Sequence, residues 1–595
     1  MYYFAFFICL TLISSFIHHV LYCKKVKLLK SLLHGLVITI ITQIIVFMLI
    51  RILMGYNIFK VYNTLNLSRL KFIIKFNAVS FAAVFVLIFL IRIFKVKKEI
   101  LDGEYKGFVS SIIVFLYTLL LMFFVYLDLF FSSLNIDQLL FTLSMPIAGT
   151  NSLIFFGFIL IIVIVPGISF FINYFFIRNK IKFTFQLKNK SRTFFPINCR
   201  YHKSIILSWI LFFILFVNFK LELIDYIKLS LQPNSSFYED HYIDPKNVNF
   251  NFPKQKKNLI LIYLESMEAE ASSTANPGVN LIPELSQLAE ENISFSHNDG
   301  LGGQLQLAGT GWSMASLCCT HLGIPLTLPI GGNSYEYTEH FFNGTYGLGD
   351  LLKDNGYTLS FVMGADAEFG GLRALLKTHG NFDIKDSNYY RKIGYVPQDY
   401  NVWWGIEDKK IIEYSKEELI ELSKDDKPFM FSVFLEDTHS PEGYMDVDCE
   451  EKYVNQIHNV FSCTSKRVAR FLNWIKEQKF YDDTVIVILG DHLYMGGDLY
   501  TQKKSHYERH AYNAFINTGK KIAFSKNRAF ATFDFFPTIV EALGIEYDGD
   551  GLGIGLSLFS NKPTLLEQYG EKQLNEFINS KSYFYRNELL NKKDL

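Results

Sequence analysis

The first third of the chain carries five stretches long and apolar enough to cross a hydrocarbon core about 30 Å thick. They are Tyr2 to Tyr22, Leu33 to Met54, Phe76 to Phe94, Val109 to Phe131 and Leu153 to Ile177. A sixth, Ile205 to Phe219, is shorter but uncharged, and Lys220, Glu222 and Asp225 follow it at once. So short a run also has the form of a buried core helix. Taken together the runs predict a polytopic α-helical membrane domain over 1–219 with about six helices. They also account for a chain of 595 residues that is 50% hydrophobic and only 19% charged.

Lys and Arg alternate across the connections. Loops 23–32, 92–106 and 178–203 hold 17 between them, against 4 in loop 55–75 and none in loop 132–152. Cytoplasmic loops keep basic residues, so this bias places the first three inside and, with six spans, exports everything after Phe219. The first run has no basic segment before it and its charges follow it, so on this reading it is a retained span and not a cleaved signal. The formal charge of +1 gives no basic excess that would point to nucleic acid. Seven cysteines are too few for a disulfide scaffold. Four of them, Cys318, Cys319, Cys449 and Cys463, fall in the exported part, where Cys449 and Cys463 can close a small surface loop.

Residues 220–257 read as an amphipathic helix (KLELIDYIKLSL) leaving the membrane surface, then a polar linker. From Asn258 the composition is that of an α/β protein. Four short apolar runs have the pattern of buried parallel strands: Leu259 to Leu264, Tyr357 to Met363, Phe429 to Leu435 and Thr484 to Leu489. Each ends in polar residues: Glu265-Ser266, Gly364-Ala365-Asp366, Glu436-Asp437-Thr438-His439 and Gly490-Asp491-His492. In open parallel sheets, sites form at the carboxyl ends of strands, so these groups are expected to converge although they lie more than 200 residues apart.

Glu265, Asp491 and His492 offer two hard carboxylates and an imidazole, a donor set for a divalent cation: zinc, manganese or magnesium. A nucleophile is supplied by the Gly-rich segment Gly302 to Ser313, which runs into a helix predicted over Ser313 to His321. There Thr310 is the candidate, able to attack if it also ligates the metal, and the helix start can hold an anion. A threonine ahead of a helix is also the ordinary N-cap, an Asp-His pair after a strand is ordinary loop chemistry, and His439 alone has the look of a surface histidine.

The segments LIYLESME, GTGWSMASLCCTHLGIPL, FLEDTHSPEGY, VIVILGDHLYM and FDFFPTIVEALG resemble those of phosphoglycerol transferase I and, more distantly, lipoteichoic acid synthases. Both belong to the sulfatase-like branch of the alkaline phosphatase superfamily. The resemblance covers about 258–560, leaving 561–595 as a C-terminal extension, and it implies an α/β sulfatase-like domain with a mainly parallel central sheet. It further implies Glu265, Thr310, Asp491 and His492 as metal ligands, Thr310 as nucleophile, and His439 as a substrate-side histidine. Arg373 falls where relatives carry substrate contacts. Ser313 either assists Thr310 or packs, Trp312 either lines the pocket or belongs to the core, and Cys318 and Cys319 read as small core residues.

The activity so implied is a metal-dependent membrane-bound phosphotransferase of the bacterial inner membrane, its catalytic domain on the periplasmic or external face. It moves a phosphoglycerol head group from a phospholipid to a sugar hydroxyl of a cell-envelope glycan through a covalent phosphothreonine. One divalent ion, manganese, zinc or magnesium, serves it. The alternative is a phosphoethanolamine transferase acting on lipopolysaccharide, which the motifs at the metal do not separate from it; the donor is phosphatidylglycerol or phosphatidylethanolamine, and carboxylates such as Asp366, Glu368 and Glu436 do not decide between them. A hydrolytic sulfatase is the weaker alternative, since Thr-Gly-Trp-Ser stands where sulfatases carry Cys/Ser-x-Pro-x-Arg. A purely binding domain has no use for the full donor set.

Overall fold

The computed structural model describes residues 96–100, 107–130, 157–187, 190–195, 233–272, 279–327, 341–440, 442–496, 509–520 and 525–590. The chain divides into two units, Met1–Phe123 with Leu160–Ile210, and Phe124–Ile159 with Leu211–Leu595.

The first unit holds most of two apolar helices, α1 (Gly107–Phe130) and α2 (Val165–Arg178), the latter entered through a π-helical turn over Ile159–Ile164. Ile159–Arg178 is long and apolar enough to cross a membrane, with a mean hydropathy of 2.4. Buried Asn173 on α2 donates to Ser111 of α1 at 3.2 Å, the kind of polar contact that joins helices in an apolar medium. These two helices coincide with the fourth and fifth apolar runs. The first three runs, the sixth and the amphipathic segment lie outside the described residues. The basic connections contain structure the hydropathy pattern does not foretell. Strand β1 (Val96–Ile100) pairs antiparallel with β2 (Ile181–Leu187), and β2 pairs with β3 (Lys190–Phe195), in one three-stranded sheet.

The second unit is built on a seven-stranded sheet. Its strands are β5 (Asn258–Leu264), β6 (Gly303–Leu305), β7 (Thr358–Met363), β8 (Asp383–Lys385), β9 (Phe429–Leu435), β10 (Thr484–Gly490) and β11 (His510–Ile516), in the order β6-β11-β10-β5-β9-β7-β8; a short β4 (Phe250–Asn251) pairs outside it. From β10 to β8 the pairing is parallel, while β11 runs antiparallel to both neighbours. Each central strand is apolar on both faces because both are covered. Leu259, Leu261 and Tyr263 face the core that holds α4 (Ser313–Leu322) and α8 (Phe535–Ala542). Ile260, Ile262 and Leu264 face the core of α3 (Pro283–Glu291), α6 (Asp408–Leu422) and α7 (Gln456–Lys476). Each of these fully buried aliphatic side chains contributes roughly 1.5–3 kcal/mol.

The four apolar runs are therefore the four central strands, to within a residue of the predicted ends. Register then fixes the site, since Leu264 lies opposite both Gly490 and Leu435, and Met363 opposite Phe434. The residues following all four strands emerge side by side along one edge.

Candidate functional site

Glu265 leaves β5 on the face that Tyr263 shares with α4, and Asp491 and His492 leave β10 beside it. Their ligand atoms all lie within 4.8 Å of one another in a buried group that can hold a metal ion. His492 Nε2 stands 3.2 Å from Glu265 Oε1 and 3.4 Å from Asp491 Oδ2. Its Nδ1 contacts the Leu493 carbonyl at 2.9 Å, so Nδ1 carries the proton there and Nε2 is the atom turned to the carboxylates. Asp491 Oδ1 accepts from the amides of Ser266 and His492, both at 2.7 Å, whereas its buried Oδ2 has no hydrogen-bond partner.

An orphaned buried carboxylate oxygen, a second carboxylate and an imidazole nitrogen converging on one point fit a divalent cation. The charges say the same. Burial works against ionised Glu265, but His492 and His439 outweigh it and hold the carboxyl well below the usual range. Burial, then the charge of Glu265, pushes Asp491 up to about 7. His492 is opposed by burial but carried by Asp491 and Glu265 up to about 10. The cluster thus holds on to positive charge, as a proton or a metal ion.

The surrounding backbone is built to keep this geometry. Ser266 adopts φ 55°, a left-handed conformation costly for a residue with a Cβ. That turn sends its amide to Asp491 and its hydroxyl to Glu265 Oε1 at 2.7 Å. Thr438 Oγ1 donates to the Glu265 carbonyl, Gln304 Nε2 to the Gly490 carbonyl, and Leu493 N to Gln306 Oε1. None of Ser266, Thr438, Gln304 and Gln306 was singled out for a role from sequence. Their proximity to the motifs in the chain is their only signal there.

Of the hydroxyls in the Gly-rich segment, the one brought to the cluster is that of Ser313, not Thr310. Ser313 opens α4, and its Oγ lies 3.0 Å from Glu265 Oε2 and 3.3 Å from His492 Nε2. Thr310 is three residues earlier in a tight turn, where its buried Oγ1 accepts from Leu307 N at 2.9 Å and donates to Leu307 O at 3.0 Å. The reason is local: Gly309, at φ +69°, closes the turn on Leu307, and Gly311 and Trp312 are spent reaching the helix.

His439 follows β9, its Nδ1 on the Ser440 carbonyl at 2.7 Å and its ring 4.4 Å from that of Trp404. Arg373, on the short helix Leu372–Thr378 that follows β7, is held by Glu368 and Asp386, each at 2.5 Å. Trp312, Cys318 and Cys319 are buried in the core on the α4 side, and Cys449 and Cys463 form a disulfide.

Residues 257–545 match the sulfatase family. The phosphoglycerol transferases I of Salmonella newport and Escherichia coli are 30% identical over 354 residues, which is 57% of this chain and 44% of theirs, so the chain matches less than half the length of these relatives. Among solved structures, a lipoteichoic acid synthase from Listeria monocytogenes aligns at a TM-score of 0.42 and 17% identity, over 55% of this chain and 82% of that one. Lipooligosaccharide phosphoethanolamine transferase A from Neisseria meningitidis aligns at 0.43 and 14%, over 86% and 95%. The part of this chain that carries the cluster thus matches the sulfatase family and is similar in sequence to the phosphoglycerol transferases I.

Proposed function

We propose that the protein is a membrane-bound, metal-dependent phosphotransferase that moves a phosphoglycerol group from a phospholipid to a sugar hydroxyl of a cell-envelope glycan. Glu265, Asp491 and His492 hold one divalent ion, and Ser313 takes the role that the sequence assigns to Thr310. A single observation carries this reading: the Ser313 hydroxyl lies within 3.3 Å of both Glu265 and His492, at the start of a helix. The bound ion lowers the pKa of a nearby hydroxyl and offsets charge on phosphate oxygens.

The remaining work falls to the chain. Its proton released to solvent, the Ser313 alkoxide attacks phosphorus, forming a Ser–O–P bond as the bond to diacylglycerol breaks. The amides at the start of α4 lie on the same side as Ser313 and favour the phosphate anion. His439, its Nδ1 occupied by Ser440, has Nε2 left to protonate the departing alkoxide. In the second half, an acceptor hydroxyl gives its proton to His439 and attacks phosphorus, and the Ser313 bond breaks. The intermediate is thus a phosphodiester on serine.

The test is the intact mass of the full-length protein in vesicles of phosphatidylglycerol or phosphatidylethanolamine with Mn²⁺ or Zn²⁺. A glycerol phosphate adduct is expected on the wild type and on T310A, and none on S313A. An adduct that persists in S313A, or vanishes only in T310A, overturns the assignment, and an ethanolamine phosphate adduct changes the donor.

A further inference from the structure

His439 is carried by a loop, so whatever holds that loop decides where its imidazole stands. It closes a turn in which its amide donates to the Glu436 carbonyl at 3.0 Å. Both residues inside the turn are tied down. Thr438 Oγ1 donates to the Glu265 carbonyl. Asp437 Oδ2 accepts from Arg467 at 2.8 Å, and its Oδ1 accepts from the Asp408 amide, at the start of α6, at 3.2 Å.

Arg467 lies buried near the middle of α7. Its other terminal nitrogen donates to Asp446 Oδ2 at 2.8 Å and to Asp448. One guanidinium therefore grips the chain just before His439 and again where the loop ends. Between the two grips the chain folds back on itself. The Gly443 amide donates to the His439 carbonyl at 3.0 Å and the Tyr444 amide to the Asp437 carbonyl at 2.6 Å. Gly443 takes φ +65°, and a Cβ there would meet that Asp437 carbonyl at 2.7 Å. Directly after Asp448, the Cys449–Cys463 bond returns the chain to α7. A guanidinium suits this task because its planar fork bonds separate carboxylates in fixed directions, where an ammonium is a point charge on a flexible stem. Burying such charges offsets much of their mutual attraction, so stability alone does not account for the network; what it fixes is the path of the loop.

We infer that Arg467 is a positioning residue for His439: by clamping Asp437 and Asp446 it sets the turn from which the imidazole meets the departing alkoxide. The inference rests on the proposed transferase reading, in which His439 protonates diacylglycerol as it leaves. It adds a side chain whose ion pairs go to Asp437, Asp446 and Asp448 and not to the metal-binding cluster.

Such a role acts selectively. Diacylglycerol departs as an alkoxide that needs a proton from His439, whereas 4-nitrophenolate departs without one. The test uses the full-length protein in vesicles with Mn²⁺ and measures kcat/KM, which covers the steps through release of the first product. One substrate is whichever of phosphatidylglycerol and phosphatidylethanolamine the wild type turns over faster, read as diacylglycerol; the other is bis(4-nitrophenyl) phosphate, read as 4-nitrophenol. Arg467→Lys, which keeps the charge and loses the fork, is expected to lower the lipid reaction about 10- to 100-fold and the nitrophenyl reaction by less than about threefold. Asp437→Asn keeps the size of the side chain and removes its ion pair. It is expected to show the same selectivity, and it stands in if the lysine variant does not fold. Adding either change to His439→Ala is expected to deepen that variant's loss by less than about threefold, because a residue acting through His439 then has nothing to place.

Equal losses on the two substrates, a loss repeated in full in the His439→Ala background, or lipid turnover unmoved in both variants overturns this inference and leaves the transferase intact. A His439→Ala variant that treats the two substrates as the wild type does removes His439 as the acid, and this inference with it. A wild type inactive on the lipids and on the diester overturns the transferase reading and, with it, this inference.

Discussion

Ser313 and Thr310 are three residues apart, and a sequence containing both offers no internal reason to prefer the helix-start serine over the threonine in the Gly-rich turn. What separates them is the turn at Gly309, which closes Thr310 onto Leu307 and lets α4 begin with Ser313 against Glu265. Turn closure depends on backbone dihedrals that residue types restrict only loosely. S313A is expected to reduce kcat for diacylglycerol release by at least about 1,000-fold with little change in KM, the loss that follows removal of a nucleophile. T310A is expected to cost about 1–2 kcal/mol of stability as a lost turn bond and to leave kcat within about threefold. Thermal melts and lipid turnover on the same preparations check both. Glu265, Asp491 and His492 were legible because strand endings in a parallel sheet share one edge whatever the loops do. Removing the ion with a chelator is expected to abolish turnover and lower the melting temperature, and Mn²⁺ or Zn²⁺ to restore both; turnover unaffected by chelation would sink the metal assignment.

At the scale of elements, the strands with unbroken apolar runs were readable and those with mixed faces were not. Strand β11 (HAYNAFI) carries His510 and Asn513, and Asn513 is committed to the Phe295 backbone in both directions. Its polar residues serve neighbours distant in sequence, so no local period marks it. Helix α4 shows a buried choice of a different kind. His321 near its end is fully enclosed, both ring nitrogens lack partners, and burial, with His379 adding to it against Asp350, pushes its pKa down to about 3. The folded state therefore takes up this proton less readily than the unfolded chain. The stability tied to neutral His321 is complete above about pH 6.5 and declines as pH falls toward 3, by up to about 1.4 kcal/mol per unit. H321L is expected to flatten the acid limb of the melting temperature against pH relative to wild type; parallel curves would refute it. The Cys449–Cys463 bond closes a short loop onto α7, and Asp446 and Asp448, just ahead of Cys449, together with Asp437 grip buried Arg467. Breaking the bond with a reductant is expected to lower stability by about 2–3 kcal/mol, the loop-closure value for this length, as read by denaturant titration.

Across the whole molecule, the alternation of basic loops makes a claim that the pairing of β1 with β2 sharpens. The two strands lie in loops 92–106 and 178–203, and strands in one sheet sit on one side of any membrane. The charge bias predicts that this side is the cytoplasm and that residues 257–545 lie outside. The loop reading passed over the sheet because β1 (VKKEI) and β3 (KSRTFF) are short and charged, although β2 (IKFTFQL) alternates apolar and polar residues as a strand does. Lys97 and Thr184 are register partners, and antiparallel partners have Cα atoms about 4.5–5.5 Å apart, within the span a disulfide bridges. Lys97→Cys with Thr184→Cys is therefore expected to cross-link on mild oxidation of intact cells. A membrane-impermeant maleimide added outside should leave that cross-link unhindered, yet label Val447→Cys, whose position within 257–545 is 94% exposed. Failure to cross-link would remove the sheet. External maleimide blocking the pair would reverse the predicted orientation and, with it, the proposal that the donor is drawn from the outer face.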